Sequence, residues 1–153
     1  MNIIFKNSDL EEAEILIEIY NKAFYDDYIR FNGCPGYGHT VEEMKKSIME
    51  NNKFTIYADG NPIGALSISD KGNGKYHVGC LCVIPEYQHK GIGSKAVQFI
   101  LETFKNWNEI TLETPAEKEE NVNFYTKKCG FKIVDEITED KTKLYCFSLK
   151  KAQ

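Results

Sequence analysis

Residues 76–101 read YHVGCLCVI, then PEYQHKGIG, then SKAVQFIL. A run apolar on both alternating faces suits a strand covered on both sides. Pro85 stops that strand, and helical spacing resumes over residues 91–104. A doubly covered strand feeding a helix through one short loop requires a mixed α/β fold built on a central sheet. The loop raises its own question. Gly91 and Gly93 follow Gln88, His89 and Lys90 where a helix's first amides have no intrahelical partner. Such amides attract anions, and glycine lets an anion approach closely. The alternative is that the glycines serve tight packing alone, and these residues leave both readings open. They do exclude two nucleotide loops. No G-x-x-x-x-G-K-[ST] is present, and Ala96 stands where a dinucleotide fingerprint needs its third glycine.

The remaining elements fall on either side of this stretch. Residues 2–6 suit a first strand. Ser8-Asp9-Leu10-Glu11 has the form of a capping box, and Ala13, Leu16, Ile17, Tyr20, Ala23 and Phe24 follow at helical spacing as far as Phe31. NGCPGYGH is a loop, after which Thr40-Val41-Glu42-Glu43 opens a second helix ending near Asn51. Residues 53–58 and 63–70 read as strands joined by the turn Asp59-Gly60-Asn61-Pro62. Beyond the helix at 91–104, residues 109–113 form another strand. Thr114-Pro115-Ala116-Glu117 predicts a third capped helix running to Cys129, with Gly130 in a left-handed cap. Residues 131–138 and 143–149 are the closing strands. The order is β-α-α-β-β-β-α-β-α-β-β, without repeat or linker, so the expectation is a single domain over 1–153.

Composition narrows the functional classes. Apolar residues make up 42% of the 153 and charged residues 27%, as in globular and not disordered chains. A net charge of −4 provides no general field for nucleic acid. No run approaches the roughly 18 apolar residues of a membrane helix, and the first residues lack a signal peptide's layout. The five cysteines (Cys34, Cys80, Cys82, Cys129, Cys146) include no C-x-x-C pair and read as idle thiols of a cytoplasmic protein. Cys80 and Cys82 share a strand face, but two thiols without a nearby His or further Cys make a poor zinc site, so no metal is expected.

The segment VIPEYQHKGIGS, Val83 to Ser94, resembles the acetyl-CoA-binding segment of the GNAT family of N-acetyltransferases, whose signature is Q/R-x-x-G-x-G/A. Gln88, Gly91 and Gly93 occupy its three defining positions. NFYTKKCGF, Asn123 to Phe131, is similar to the family's F-Y-x-K-x-G-F, and the order and separation of the two motifs agree. The resemblance implies the GNAT α/β fold, a mixed central sheet with splayed central strands flanked by about four helices. It also implies an acetyl-CoA-dependent N-acetyltransferase in which an amine attacks the thioester directly.

Carried over residue by residue, the resemblance places the pantetheine arm of acetyl-CoA against the backbone of Leu81, Cys82 and Val83, with the Leu81 amide aimed at the thioester carbonyl. Gln88, His89, Lys90, Gly91, Ile92, Gly93 and Ser94 would hold the pyrophosphate. Tyr125 matches the tyrosine that protonates the departing thiolate. Phe124, beside it, is a further cofactor-binding candidate. The asparagine that many members place seven residues earlier is Lys118 here, which puts that cofactor contact in doubt; Asn121, one turn later, is the nearest candidate. The base is His77, Glu113 or a water relay; histidine is the side chain that exchanges protons near neutrality. Acceptor recognition would fall to Tyr25, Asp26, Asp27, Tyr28, Arg30 and Phe31, then residues 32–39. Their acidic and aromatic character suits a cationic amine, whereas Arg30 would suit a carboxylate. The rival readings are a CoA-binding regulatory module without turnover and an acyltransferase using another acyl-CoA. Membrane and nucleic-acid partners are not expected, and a homodimer is an option that these residues do not decide.

Overall fold

Each segment that the hydrophobic period assigns to a strand forms one in the computed structural model, which describes residues 1–31 and 33–152. The strands are β1 (Ile3–Asn7), β2 (Asn52–Ala58), β3 (Asn61–Asp70), β4 (Lys75–Val83), β5 (Glu109–Pro115), β6 (Lys132–Glu139) and β7 (Thr142–Lys150). The helices are α1 (Ala13–Arg30), α2 (Val41–Glu50), α3 (Ile92–Thr103) and α4 (Glu119–Asn123). The strands form a mixed seven-stranded sheet in the order β1-β2-β3-β4-β5-β7-β6. The β4–β5 pair is parallel, and the β1–β2, β2–β3, β5–β7 and β6–β7 pairs are antiparallel. The chain divides into two compact units, residues 1–68 with 80–96 and residues 69–79 with 97–153. No described helix is long and apolar enough to cross a membrane.

In the first unit the β2–β3 hairpin turns through Asp59 (φ 49°) and Gly60 (φ 84°), both left-handed, as a two-residue hairpin of this kind requires. Leu16, Met44, Ile56, Ile63 and Ile92 are buried in its core. The Thr40 box forms as expected: Thr40 Oγ1 accepts from the Glu43 amide at 3.1 Å, and Glu43 accepts from the Thr40 amide at 2.9 Å. The first box sits one residue later than its spacing predicts. Glu12 accepts from the Asp9 amide at 3.0 Å, and its other carboxylate oxygen accepts from the Tyr57 hydroxyl. The Ser8 hydroxyl lies instead 2.7 Å from Thr55 Oγ1. A partner on β2 thus outweighs the local cap.

In the second unit Ile100, Ile110, Leu112, Phe131 and Phe147 are buried. The predicted cap at Thr114 does not form. Thr114 and Pro115 continue β5, opposite Tyr145 and Leu144 of β7, and α4 starts only at Glu119. Continued pairing satisfies the strand's backbone groups, for which a single side-chain cap is a weak competitor. The helix expected to reach Cys129 is also different. Five α residues give way to a π turn over Phe124–Lys128, in which the Cys129 amide donates to the Phe124 carbonyl at 3.1 Å. Gly130 takes the left-handed conformation expected of it, at φ 81°.

One close approach within the first unit is testable. A Cβ on Gly64 would lie 2.5 Å from the Cys82 carbonyl oxygen and 3.2 Å from Ile56 Cδ1. The carbonyl is backbone and cannot swing aside, so Gly64→Ala must displace a strand. The expected cost is about 1–3 kcal/mol, read as a lower urea midpoint at unchanged slope; an unchanged midpoint would contradict the packing described.

Candidate active site

The loop after β4 belongs to the first unit. Pro85–Tyr87 form one 3₁₀ turn, and Gln88 then folds back, its Nε2 donating to the Val83 carbonyl at 2.9 Å. Gln88 therefore shapes the loop from within. His89 (φ 61°) and Gly91 (φ 80°) are both left-handed and wind the chain into α3. Nothing lies within 4 Å of a Cβ built on Gly91, so the demand for glycine there is torsional. The Lys95 amide donates to the Gly91 carbonyl at 3.2 Å, which leaves the amides of Ile92, Gly93 and Ser94 ahead of the intrahelical ladder. The Ile92 side chain is buried in the core, so its amide is the group it can offer. With Lys90 exposed beside them, these amides at the positive end of a twelve-residue helix suit an anion. On β4 itself Cys82 is buried, and Leu81 and Val83 are half-buried.

The first unit also holds the residues read as acceptor candidates. Tyr25 and Tyr28 are exposed, and Tyr37 from the following loop stacks on Tyr28 with centroids 4.3 Å apart and lies 6.2 Å from Tyr25. The Arg30 guanidinium sits 5.1 Å from the Phe31 ring centroid. Asp27 differs from the tyrosines in being buried. Asn32 lies outside the described residues.

The second unit holds the proton-transfer candidates. Parallel pairing sets His77 opposite Thr111, and Glu113, two residues on, returns to the same face of β5. His77 Nδ1 lies 2.8 Å from Thr111 Oγ1, and Nε2 lies 3.4 Å from Glu113 Oε1. The two residues considered separately as bases are thus brought together as neighbours, with Thr111 steadying the ring. Thr111 escaped sequence reading; its alternation with Glu113 in EITLE was the available signal, and only the register gives it meaning. Tyr125 is 8% exposed in the π turn, edge-on to Phe124 (5.0 Å) and Phe131 (5.6 Å) and tilted against Phe147 (5.7 Å). Asn121 on α4 reaches β5, its Nδ2 donating to Thr114 Oγ1 at 3.3 Å. Lys118 precedes α4 as its N-cap, without a capping hydrogen bond from its side chain. Among the described residues no cluster of His, Cys, Asp and Glu has the form of a metal site.

Against known proteins, residues 14–131 match the acetyltransferase (GNAT) family. The PaiA N-acetyltransferase of Thermoplasma acidophilum, solved in complex with coenzyme A, superposes with a TM-score of 0.81 at 22% identity, over 99% of this chain and 100% of that one. Ard1 from Thermoplasma volcanium also superposes at 0.81, with 16% identity, over the whole of both chains. At these identities the likeness is one of fold. The uncharacterized protein YrkN of Bacillus subtilis (strain 168) is 30% identical over 86 residues, which are 54% of this chain and 45% of that relative's length. With most of its length matched to the family, and with the seven-stranded mixed sheet and four helices of its structural neighbours, this chain belongs to the GNAT acetyltransferase family.

Proposed function

We propose that the chain, residues 1–153, works as one N-acetyltransferase domain that transfers the acetyl group of acetyl-CoA to a primary amine of a small molecule or peptide by direct attack. The observation that carries this reading is the loop. Left-handed His89 and Gly91 present three amides outside the helical ladder at the start of α3, in a chain of the acetyltransferase family. The coenzyme A in the PaiA structure supports the choice of donor.

In this reading the amides from His89 to Ser94 hold the pyrophosphate, with Lys90 and His89 adding positive charge, while Gln88 keeps the loop folded onto Val83. Backbone groups of Leu81, Cys82 and Val83 pair with the pantetheine arm as an added strand would. The Leu81 amide faces the thioester oxygen, where negative charge builds during attack. The Val83 carbonyl keeps a second lone pair after accepting from Gln88. Phe124 and Asn121 flank the donor. Tyr125, held in one orientation by Phe131 and Phe147, protonates the departing thiolate. His77 and Glu113 act as one unit: the imidazole takes the ammonium proton, and the carboxylate 3.4 Å away stabilises the cation that forms. Tyr25, Tyr28 and Phe31 offer ring faces to a cationic amine, and Asp27 adds negative charge. The proposed setting is the cytoplasm, with acetyl-CoA and the amine as partners, and pairing into a homodimer is a further expectation from the family.

Three measurements test these roles. Tyr125→Phe is expected to bind coenzyme A normally while kcat falls about 10²-fold or more; unchanged turnover would remove the acid assignment. His77→Gln and Glu113→Gln should each lower kcat by about 10- to 10²-fold, and the double variant should cost little more than the worse single, because the two act as a unit. Multiplying losses would instead mean independent roles. Gly91→Ala puts a side chain at a left-handed φ, so calorimetric titration should give coenzyme A affinity about tenfold weaker. Wild-type affinity in that variant would show that the loop does not hold the donor.

A further inference from the structure

Two groups meet the ring of His77, and they differ in what they can donate. Within the second unit Thr111 Oγ1 lies 2.8 Å from Nδ1, at hydrogen-bond distance, and Glu113 Oε1 lies 3.4 Å from Nε2. A hydroxyl both donates and accepts, whereas an ionised carboxylate only accepts. A neutral imidazole carries one N–H and one lone pair. A lone pair on Nε2 would face the negative oxygen of Glu113. With the hydrogen on Nε2, the N–H dipole points at the carboxylate, and Thr111 can donate to Nδ1. Only this second arrangement makes both contacts favourable. At 3.4 Å the carboxylate contact is electrostatic more than a formed hydrogen bond, yet its sign is the same.

The sheet holds the hydroxyl in place. Thr111 stands in register between His77 of β4 and Ser148 of β7, and β-branching restricts its χ1. Ser148 is buried and donates its hydrogen to Glu109 Oε2 at 2.5 Å, while Lys75 Nζ lies 3.8 Å from Glu109 Oε1. Ser148 therefore has no hydrogen left for Thr111, whose bond to His77 meets no competing donor from that side.

We propose that Thr111 is a positioning residue for the base: its hydroxyl holds neutral His77 as the Nε2–H tautomer, so that Nδ1 is the nitrogen that gains a proton in acetyl transfer. The hydroxyl serves both states of the ring. It donates to Nδ1 while the ring is neutral. Once the ammonium's proton has bound at Nδ1, the hydroxyl turns about its C–O bond and accepts from the new N–H. The amine keeps the electron pair of the broken N–H bond, the positive charge passes to the imidazolium, and Nε2–H stays against Glu113 throughout. The catalytic consequence rests on the acetyl-transfer reading, whereas the tautomer does not.

The test uses the full chain with isotope-labelled histidine. Long-range proton–nitrogen NMR correlation, with the ring neutral, reads the tautomer, and His77→Gln identifies its signals among those of His39 and His89. The wild type should show Nε2–H and an Nδ1 that accepts a hydrogen bond. Thr111→Val keeps the β-branched shape and strand preference; in it the Nδ1 resonance should move to that of an unbonded lone pair, and Thr111→Ser should restore it. Thiol release from acetyl-CoA is then followed with benzylamine, ethylenediamine and glycinamide as acceptors. Thr111→Val should lower kcat about tenfold, as the loss of one hydrogen bond allows, with coenzyme A affinity unchanged, and Thr111→Ser should recover most of the loss. An Nδ1–H tautomer in the wild type, or an Nδ1 resonance indifferent to Thr111→Val, would overturn the proposal; if that variant does not fold, the wild-type tautomer still decides. Wild-type kcat in folded Thr111→Val would overturn the catalytic part. No thiol release from the wild type with any of these amines would instead overturn the acetyl-transfer reading beneath that part, while the spectrum still decides the tautomer.

Discussion

Strand β4 is the constraint on which the rest depends, because its successive stretches have different neighbours and the pleat has a period of two. Its start pairs in parallel with β5, from Lys75 opposite Glu109 to His77 opposite Thr111. That register, with the alternation of side chains, is what sets His77 against both Thr111 and Glu113. Its end lies close to β3, where the Cys82 carbonyl leaves no room for a side chain on Gly64. A one-residue slip of β4 against either neighbour would turn each of these side chains to the opposite face.

The loop after β4 depends on torsion more than on charge. The sequence QHKGIG suggests a cradle lined by cations, yet the structural work lies in two left-handed residues and in the Gln88 hydrogen bond that ties the loop to Val83. A non-glycine residue at φ 61°, as His89 is, is sparsely populated and persists only where its surroundings enforce it. What the loop offers a ligand is set by helix geometry, since the first amides of α3 have no carbonyl a turn earlier to bond.

Much of this fold was legible in the chain, and the exceptions share a cause. Strand and helix positions followed from hydrophobic period, and the hairpin at Asp59-Gly60 and the box at Thr40 from local chemistry. Where reading failed, a long-range partner won. Ser8 turned to Thr55, Thr114 stayed in β5 opposite Tyr145, and α4 yielded to a π turn at the very tyrosine the motif singles out. A capping signature states what a side chain could do for its own helix. It carries no information about what a strand many residues away will offer instead.

The site divides in the same way. Gln88, Gly91, Gly93 and Tyr125 were picked out by motif spacing, and the structure gives two of them a local role: Gln88 folds back onto Val83 and Gly91 takes a left-handed torsion. The pairing of His77 with Glu113, the support of Thr111, the stacking of Tyr37 on Tyr28 and the hydrogen bond from buried Lys53 to Tyr20 were not legible, since each joins residues from separate elements. Periodicity and motif spacing are short-range quantities, sufficient for the family and the order of elements. Register and burial arise only when those elements pack, and they alone bring His77 beside Glu113 and Lys53 against Tyr20.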